Sequence, residues 1–159
     1  MERMTTATFR IVPLPTDVPD AASEAGRRGA GDHAVMEVES PNSAPCRHCL
    51  RWAEPGERVI LFPNASIPPG RPYSESGPIF VHEQPCDAYG ATNTYPPDFR
   101  KGRVFRAYDS KDDMIDAVGA DGQEPEAVIA KLFANPAAVF IQVRSVTRGC
   151  FTFKIERGP

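Results

Sequence analysis

Apolar and polar positions along this chain repeat with two periods, and the places where the period changes outline the elements. Thr8-Phe9-Arg10-Ile11-Val12 is a short apolar run closed by Pro13 and Pro15, which predicts a first strand. Residues 16–29 are Ala-rich and charged, with a thin apolar face. They fit either a helix from Asp17 to Arg28 or a flexible loop. Ala34 to Glu39 alternates with period two, and Arg58 to Phe62 is apolar on both faces, so both predict strands, the second a central one. Residues 63–78 hold five prolines, two glycines and three serines, which predicts a long ordered loop without regular structure. Ile79 to His82 predicts the next strand, and 86–101 a second irregular stretch. Val104–Tyr108 and Met114–Val118 read as a strand pair turned by Asp109–Asp113. That acidic turn lacks the alternation of a calcium-binding loop.

One helix is well specified, over about 124–134. Pro125, Val128, Ile129, Leu132 and Phe133 form a single stripe at helical spacing, and Asn135-Pro136 stops it. Pro125 suits the first helical position, and Glu124 and Glu126 suit the positive end of the helix. A hairpin follows, with Val139–Val146 and Cys150–Ile155 flanking Thr147-Arg148-Gly149. Setting Val146 opposite Cys150 places Ile141, Val143, Phe151, Phe153 and Ile155 on one face. It places Gln142, Arg144, Cys150, Thr152 and Lys154 on the other. The fold class that results is α+β, mostly antiparallel sheet with one main helix and long Pro-rich loops.

The 159 residues suffice for one domain with its own core, spanning 1–159 with residues 1–7 and 16–33 as candidates for flexibility. A net charge of −3 argues against broad non-specific binding to nucleic acid. The first residues lack the apolar core of a secretory signal, and no stretch approaches the roughly 18 apolar residues of a membrane span. A cytoplasmic location follows as the expectation, and there cysteines serve as thiols or metal ligands more often than as disulfides.

Against that background the four cysteines carry the candidate chemistry. Cys46-Arg47-His48-Cys49 and His82-Glu83-Gln84-Pro85-Cys86 are two chelating pairs, together a complete tetrahedral ligand set for zinc. If strands 58–62 and 79–82 form an antiparallel hairpin, both pairs arrive at the same end of it. Four protein ligands close the coordination shell, which favours a structural zinc over a catalytic one. His48, inside the tight turn, is expected to face solvent. Glu83 is a candidate base only if one ligand stays unbound. Two other readings of the same residues stand beside the zinc. One is a set of buried thiols around a packed histidine; the other is a thiol redox pair, Cys46 and Cys49.

A separate candidate is the polar face of the C-terminal hairpin. Arg106, Gln142, Arg144, Cys150 and Thr152 could line a site for a small anionic molecule, as an enzyme or a binding protein, with the 63–78 loop closing over it. The competing reading is an ordinary solvated sheet face. Arg47, His48, Arg51 and Arg58 form a basic cluster, but only Trp52 accompanies them as an aromatic, which is little for a nucleic-acid site. No motif dictates a reaction, and nothing fixes the oligomeric state.

Pro45-Cys46-Arg47-His48-Cys49-Leu50, Gly77-Pro78-Ile79-Phe80-Val81-His82, Pro85-Cys86, Val143-Arg144 and Gly149-Cys150-Phe151 resemble the bacterial proteins grouped as domain of unknown function 1203. The resemblance runs from about residue 8 to 157. It implies a small bacterial single-domain protein and brings no established activity. Where relatives carry other residues at Cys49, His82 and Cys86, it confines the metal site to a subgroup. Cys46 and Cys150 would then be the positions to examine for a shared role.

Overall fold

A computed structural model describes residues 8–158 of the chain. Residues 1–7, expected to be flexible, lie outside the described residues. The element order is β1 (Phe9–Val12), α1 (Asp17–Arg27), β2 (Ala34–Glu37), β3 (Arg58–Ile67), β4 (Glu75–His82), a 3-10 turn (Pro97–Phe99), β5 (Arg103–Tyr108), β6 (Met114–Gly119), α2 (Pro125–Phe133), β7 (Phe140–Ser145) and β8 (Phe151–Arg157). The strands form two antiparallel sheets. The larger has the order β1-β8-β7-β5-β6 and the smaller β2-β3-β4. This is α+β architecture with mostly antiparallel sheet, and it carries two helices rather than one main one.

The larger sheet owes its core to the α2 stripe. Val128, Ile129, Leu132 and Phe133 are buried with Phe105, Ile141, Val143, Phe153 and Ile155. Pro125 occupies the first turn, where its missing N–H costs nothing. At the other end the Arg157 guanidinium donates to the carbonyl of Phe133, which the helix end leaves open, and to those of Asn135 and Ala138 in the segment that follows.

The smaller sheet has a core of its own. Ile60, Phe62, Ile79 and Val81 pack with Cys46, Cys49 and Ala22 of α1. Residues 17–27 thus take the helical alternative. A methyl group at Gly26 would sit only 3.0 Å from the Val35 side chain, so the glycine permits the close approach of α1 to β2.

The stretch 63–78 corrects the expectation of an unstructured loop. β3 continues to Ile67 and β4 begins at Glu75, with Pro63 opposite Pro78 and a bulge between Ala65 and Ile67. Prolines are tolerated because this part of the sheet has only two strands. β2 pairs with Arg58–Leu61 and no further, so Pro63 lies beyond it, and Pro78 stands on the outer strand of this sheet.

The hairpin of β7 and β8 holds its expected register from Ile141↔Ile155 to Val143↔Phe153 and then departs from it. A bulge sets Arg144 opposite Phe151 instead of Thr152. Thr152 is the extra residue. It is fully buried and accepts a hydrogen bond from Arg103 Nη1 at 3.1 Å.

The polar face of the larger sheet is covered, not solvated. Gln142 Nε2 donates to the Ser66 carbonyl at 3.0 Å, and Arg144 Nη1 donates to Glu75 Oε1 at 2.8 Å. The far end of the β3–β4 hairpin therefore lies on this face and joins the two sheets.

Candidate metal centre

The turn 45–52 is built to present sulfur. The Leu50 N–H donates to the Cys46 carbonyl, and the Cys46 N–H donates to the Arg51 carbonyl, which closes a tight loop. Leu50 completes the turn at φ 58°. For a non-glycine residue that conformation costs about 1–2 kcal/mol. Burial of the leucine side chain in the larger core, worth about 1.5–3 kcal/mol, offsets it. The turn thus roots in one core through Leu50 and in the other through Cys46 and Cys49.

A parallel bridge between Cys46 and Phe80 docks this turn along β4. His82 ends the same strand, opposite Val59. Cys86 follows after the turn through Pro85. The hairpin topology therefore brings both chelating pairs to one end of the smaller sheet, as the spacing of the elements suggested.

The four ligand atoms of Cys46, Cys49, His82 and Cys86 all lie within 4.8 Å of one another, and three of the four residues are buried. Cys46 Sγ and Cys86 Sγ are 3.9 Å apart, and Cys49 Sγ is 3.6 Å from His82 Nδ1. All four cysteines are free thiols. A group of this kind can hold a metal ion.

Its protonation behaviour fits a site that wants a cation. Hydrogen bonds from Cys49 and then Cys86 hold the Cys46 thiol far below its usual value. The same sulfurs, Cys46 first and then Cys49, push Cys86 far above its own. Cys46 and Cys49 also raise His82 from 6.5 to about 11. Without a metal, the cluster keeps positive charge on the imidazole to balance thiolate.

The surroundings orient the ligands. His82 turns Nδ1 toward the sulfurs and Nε2 toward Glu57 Oε1, 3.2 Å away. Glu57 is itself held by the Glu54 N–H at 2.6 Å, which is the main reason its carboxyl stays below its usual range. A carboxylate behind a ligating histidine fixes the tautomer and makes the ring a better donor. Arg51 is raised above its ordinary value chiefly by Cys49, and it supplies positive charge beside the thiolates.

His48 does not face solvent, contrary to expectation. It is 2% exposed, with Nδ1 3.2 Å from Cys86 Sγ and Nε2 3.0 Å from Thr16 Oγ1. It ties the start of α1 to the cluster. Glu83, weighed as a base, instead accepts from Arg58 Nε at 2.8 Å. Sequence reasoning passed over Glu57, although the hairpin register that places Val59 opposite His82 also brings Glu57 to that end.

The second set of candidate residues does not form one open site. Arg144 is 2% exposed and satisfied by Glu75, Ser66, Gln142 and the Gly149 carbonyl. Arg106 shares the Glu75 carboxylate at 3.3 Å. Gln142 is buried beneath Ser66 and Thr152 beneath Arg103. Arg144 and Cys150 do line one small cavity of about 130 Å³ together with Ser66 and Glu75, and Cys150 alone of the five also lines the larger one of about 520 Å³.

Residues 43–157 match the family described as "Protein of unknown function (DUF1203)". No curated protein and no solved structure matches the chain significantly. Among the described residues, no helix is long and apolar enough to cross a membrane.

Proposed function

The chain belongs to the protein family of unknown function DUF1203, and for this member we propose one structural zinc ion held by Cys46, Cys49, His82 and Cys86. The observation that carries the reading is the spacing of the donors. Bonds of about 2.3 Å to sulfur and about 2.0–2.1 Å to nitrogen, in a tetrahedron, imply edges of about 3.8 Å for S···S and about 3.6 Å for S···N. The corresponding distances here are 3.9 and 3.6 Å. A soft set of three thiolates and an imidazole also suits zinc better than magnesium or calcium.

The ion closes its shell with protein groups and leaves no position for substrate, so its work is mechanical. It ties the 45–52 turn and the 83–86 turn to the end of the smaller sheet, inside a single domain. Four free thiols agree with the reducing compartment of a bacterial cytoplasm. The thiol redox alternative accounts for Cys46 and Cys49 but gives no role to the converging imidazole and its carboxylate.

Elemental analysis of the purified chain is expected to give one zinc per chain. Cobalt(II) exchanged into the site should give the strong visible absorption of a tetrahedral thiolate complex. A preparation whose melting temperature ignores both a chelator and added zinc contradicts the reading. A reversible Cys46–Cys49 disulfide, found by mass spectrometry after mild oxidation of that metal-free chain, would support the redox reading in its place.

Glu57→Gln tests the supporting shell without touching a ligand. The amide keeps the shape but loses the charge behind His82. Zinc affinity, measured by competition with a chromogenic chelator, should fall about 10- to 100-fold. Zinc content at saturating metal should stay at one per chain.

A further inference from the structure

Arginines in or near the sheets differ in what they pair with. Arg58, Arg100, Arg106 and Arg144 each have a glutamate oxygen within 3.3 Å. Arg47 and Arg103 are only 3% and 5% exposed, yet among the described residues neither has an acidic partner. Arg47 donates to the carbonyls of Phe151 and Pro45, and Arg103 to the Thr152 hydroxyl, all neutral acceptors. Arg103 Nε is the one buried side-chain nitrogen or oxygen among the described residues with no hydrogen-bond partner. Arg47 has only the sulfurs of Cys150 and Cys46 to offset its charge, and among the described residues no carboxylate lies against Arg103; buried charges so poorly matched are costly and call for a reason. This chain has acidic residues in excess and places none here.

Both guanidiniums line the same cavity, of about 520 Å³, between the 45–52 turn, β4 and the β7–β8 turn. Arg148, exposed at that turn, adds a third positive charge. Trp52, Leu61 and Phe80 supply apolar wall. The volume is that of a small-molecule site, and apolar lining with a few convergent polar groups is its usual character. Arg103 is held in place by stacking, its guanidinium carbon 4.9 Å from the Phe99 ring centroid and 5.6 Å from that of Trp52. A preorganised fork of this kind matches an oxyanion.

We propose that this cavity binds a small organic phosphate monoester, its dianionic head on Arg47 and Arg103 and its apolar body against Trp52 and Phe80. The two buried charges select a dianion, since a monocarboxylate leaves one of them unmatched. The site is distinct from the metal cluster. Arg47 lies next to Cys46 in sequence, but its side chain reaches the Phe151 carbonyl.

The test uses the full chain as purified with its metal, and phenyl phosphate as the probe. Trp52 is the only tryptophan, so its emission reports the cavity directly. A saturable change is expected, competed away by inorganic phosphate. Benzoate should bind at least about tenfold more weakly, and phenol should give no saturable signal, because charge-assisted hydrogen bonds carry the recognition. Arg103→Met should weaken phenyl phosphate by at least about tenfold. Arg148→Met, at an exposed side chain whose loss does not endanger folding, should weaken it several-fold. Bound phenyl phosphate should also slow alkylation of Cys150, which lines the cavity. The proposal is overturned if phenol binds as tightly as phenyl phosphate, if Arg148→Met leaves the affinity unchanged, or if no saturable signal and no protection of Cys150 are seen. Because the assay is run at measured zinc content, failure here and failure of the metal reading separate cleanly.

Discussion

Cys49→Ser is expected to abolish stoichiometric zinc binding and to lower the melting temperature by about 10 °C or more. Structural zinc sites contribute roughly 10–16 kcal/mol of apparent binding free energy at neutral pH in small peptides. Serine is a poor zinc ligand, so most of that contribution disappears with one thiolate. A net loss near the upper end of single-substitution effects, about 4 kcal/mol, follows. At about 2–4 °C per kcal/mol for a chain of this size, the shift is on the order of 10 °C. The internal check is convergence. Wild-type chain stripped of metal should melt close to Cys49→Ser with or without zinc, since both lack the same tie. Cys150→Ser is the matched control, because Cys150 lies outside the cluster. It should keep one zinc and shift stability by less than about 0.5 kcal/mol. A Cys49→Ser chain that retains zinc and its melting temperature sinks the structural-metal reading.

The two chelating pairs were legible because they rest on local facts. Cys46 and Cys49 sit in one turn, and His82 ends a strand whose partner is close in sequence. Hairpin logic then does the rest. What was not legible depends on contacts between the sheets. The prolines at 63 and 78 suggested a loop, and only the absence of β2 beyond Leu61 makes a paired strand possible there. Alternation along β7 and β8 gave the register as far as Val143. The bulge that frees Thr152 answers to Arg103, a residue distant in sequence. His48 looked solvent-facing because nothing nearby in sequence suggests Thr16 as its partner. The same limit hid the Arg47–Arg103 cavity, since each arginine alone reads as an ordinary surface charge.

The polar face of the larger sheet shows how such a contact can be weighed. Glu75→Ala should destabilise the chain by about 2–3 kcal/mol, seen as a lower denaturant midpoint at unchanged slope. Glu75 Oε1 and Oε2 bridge Arg144 and Arg106 at 2.8 and 3.3 Å. Arg144 is almost fully buried, and breaking a fully buried pair by removing one partner costs about 3–5 kcal/mol, because it strands the other charge. Glu75 itself is 41% exposed, so water recovers part of that and the estimate sits below the range. The cost belongs to the stranded guanidinium, not to the lost carboxylate, and this has a direct consequence. In the Arg144→Met background, Glu75→Ala should cost less than about 1 kcal/mol, since no buried charge remains to strand. An additive double mutant would mean that Glu75 acts through the backbone of β4. A strongly coupled one places the junction of the two sheets in the Glu75–Arg144 pair. Zinc content should be unaffected in all of these variants, because the pair joins the sheets at the end opposite to His82.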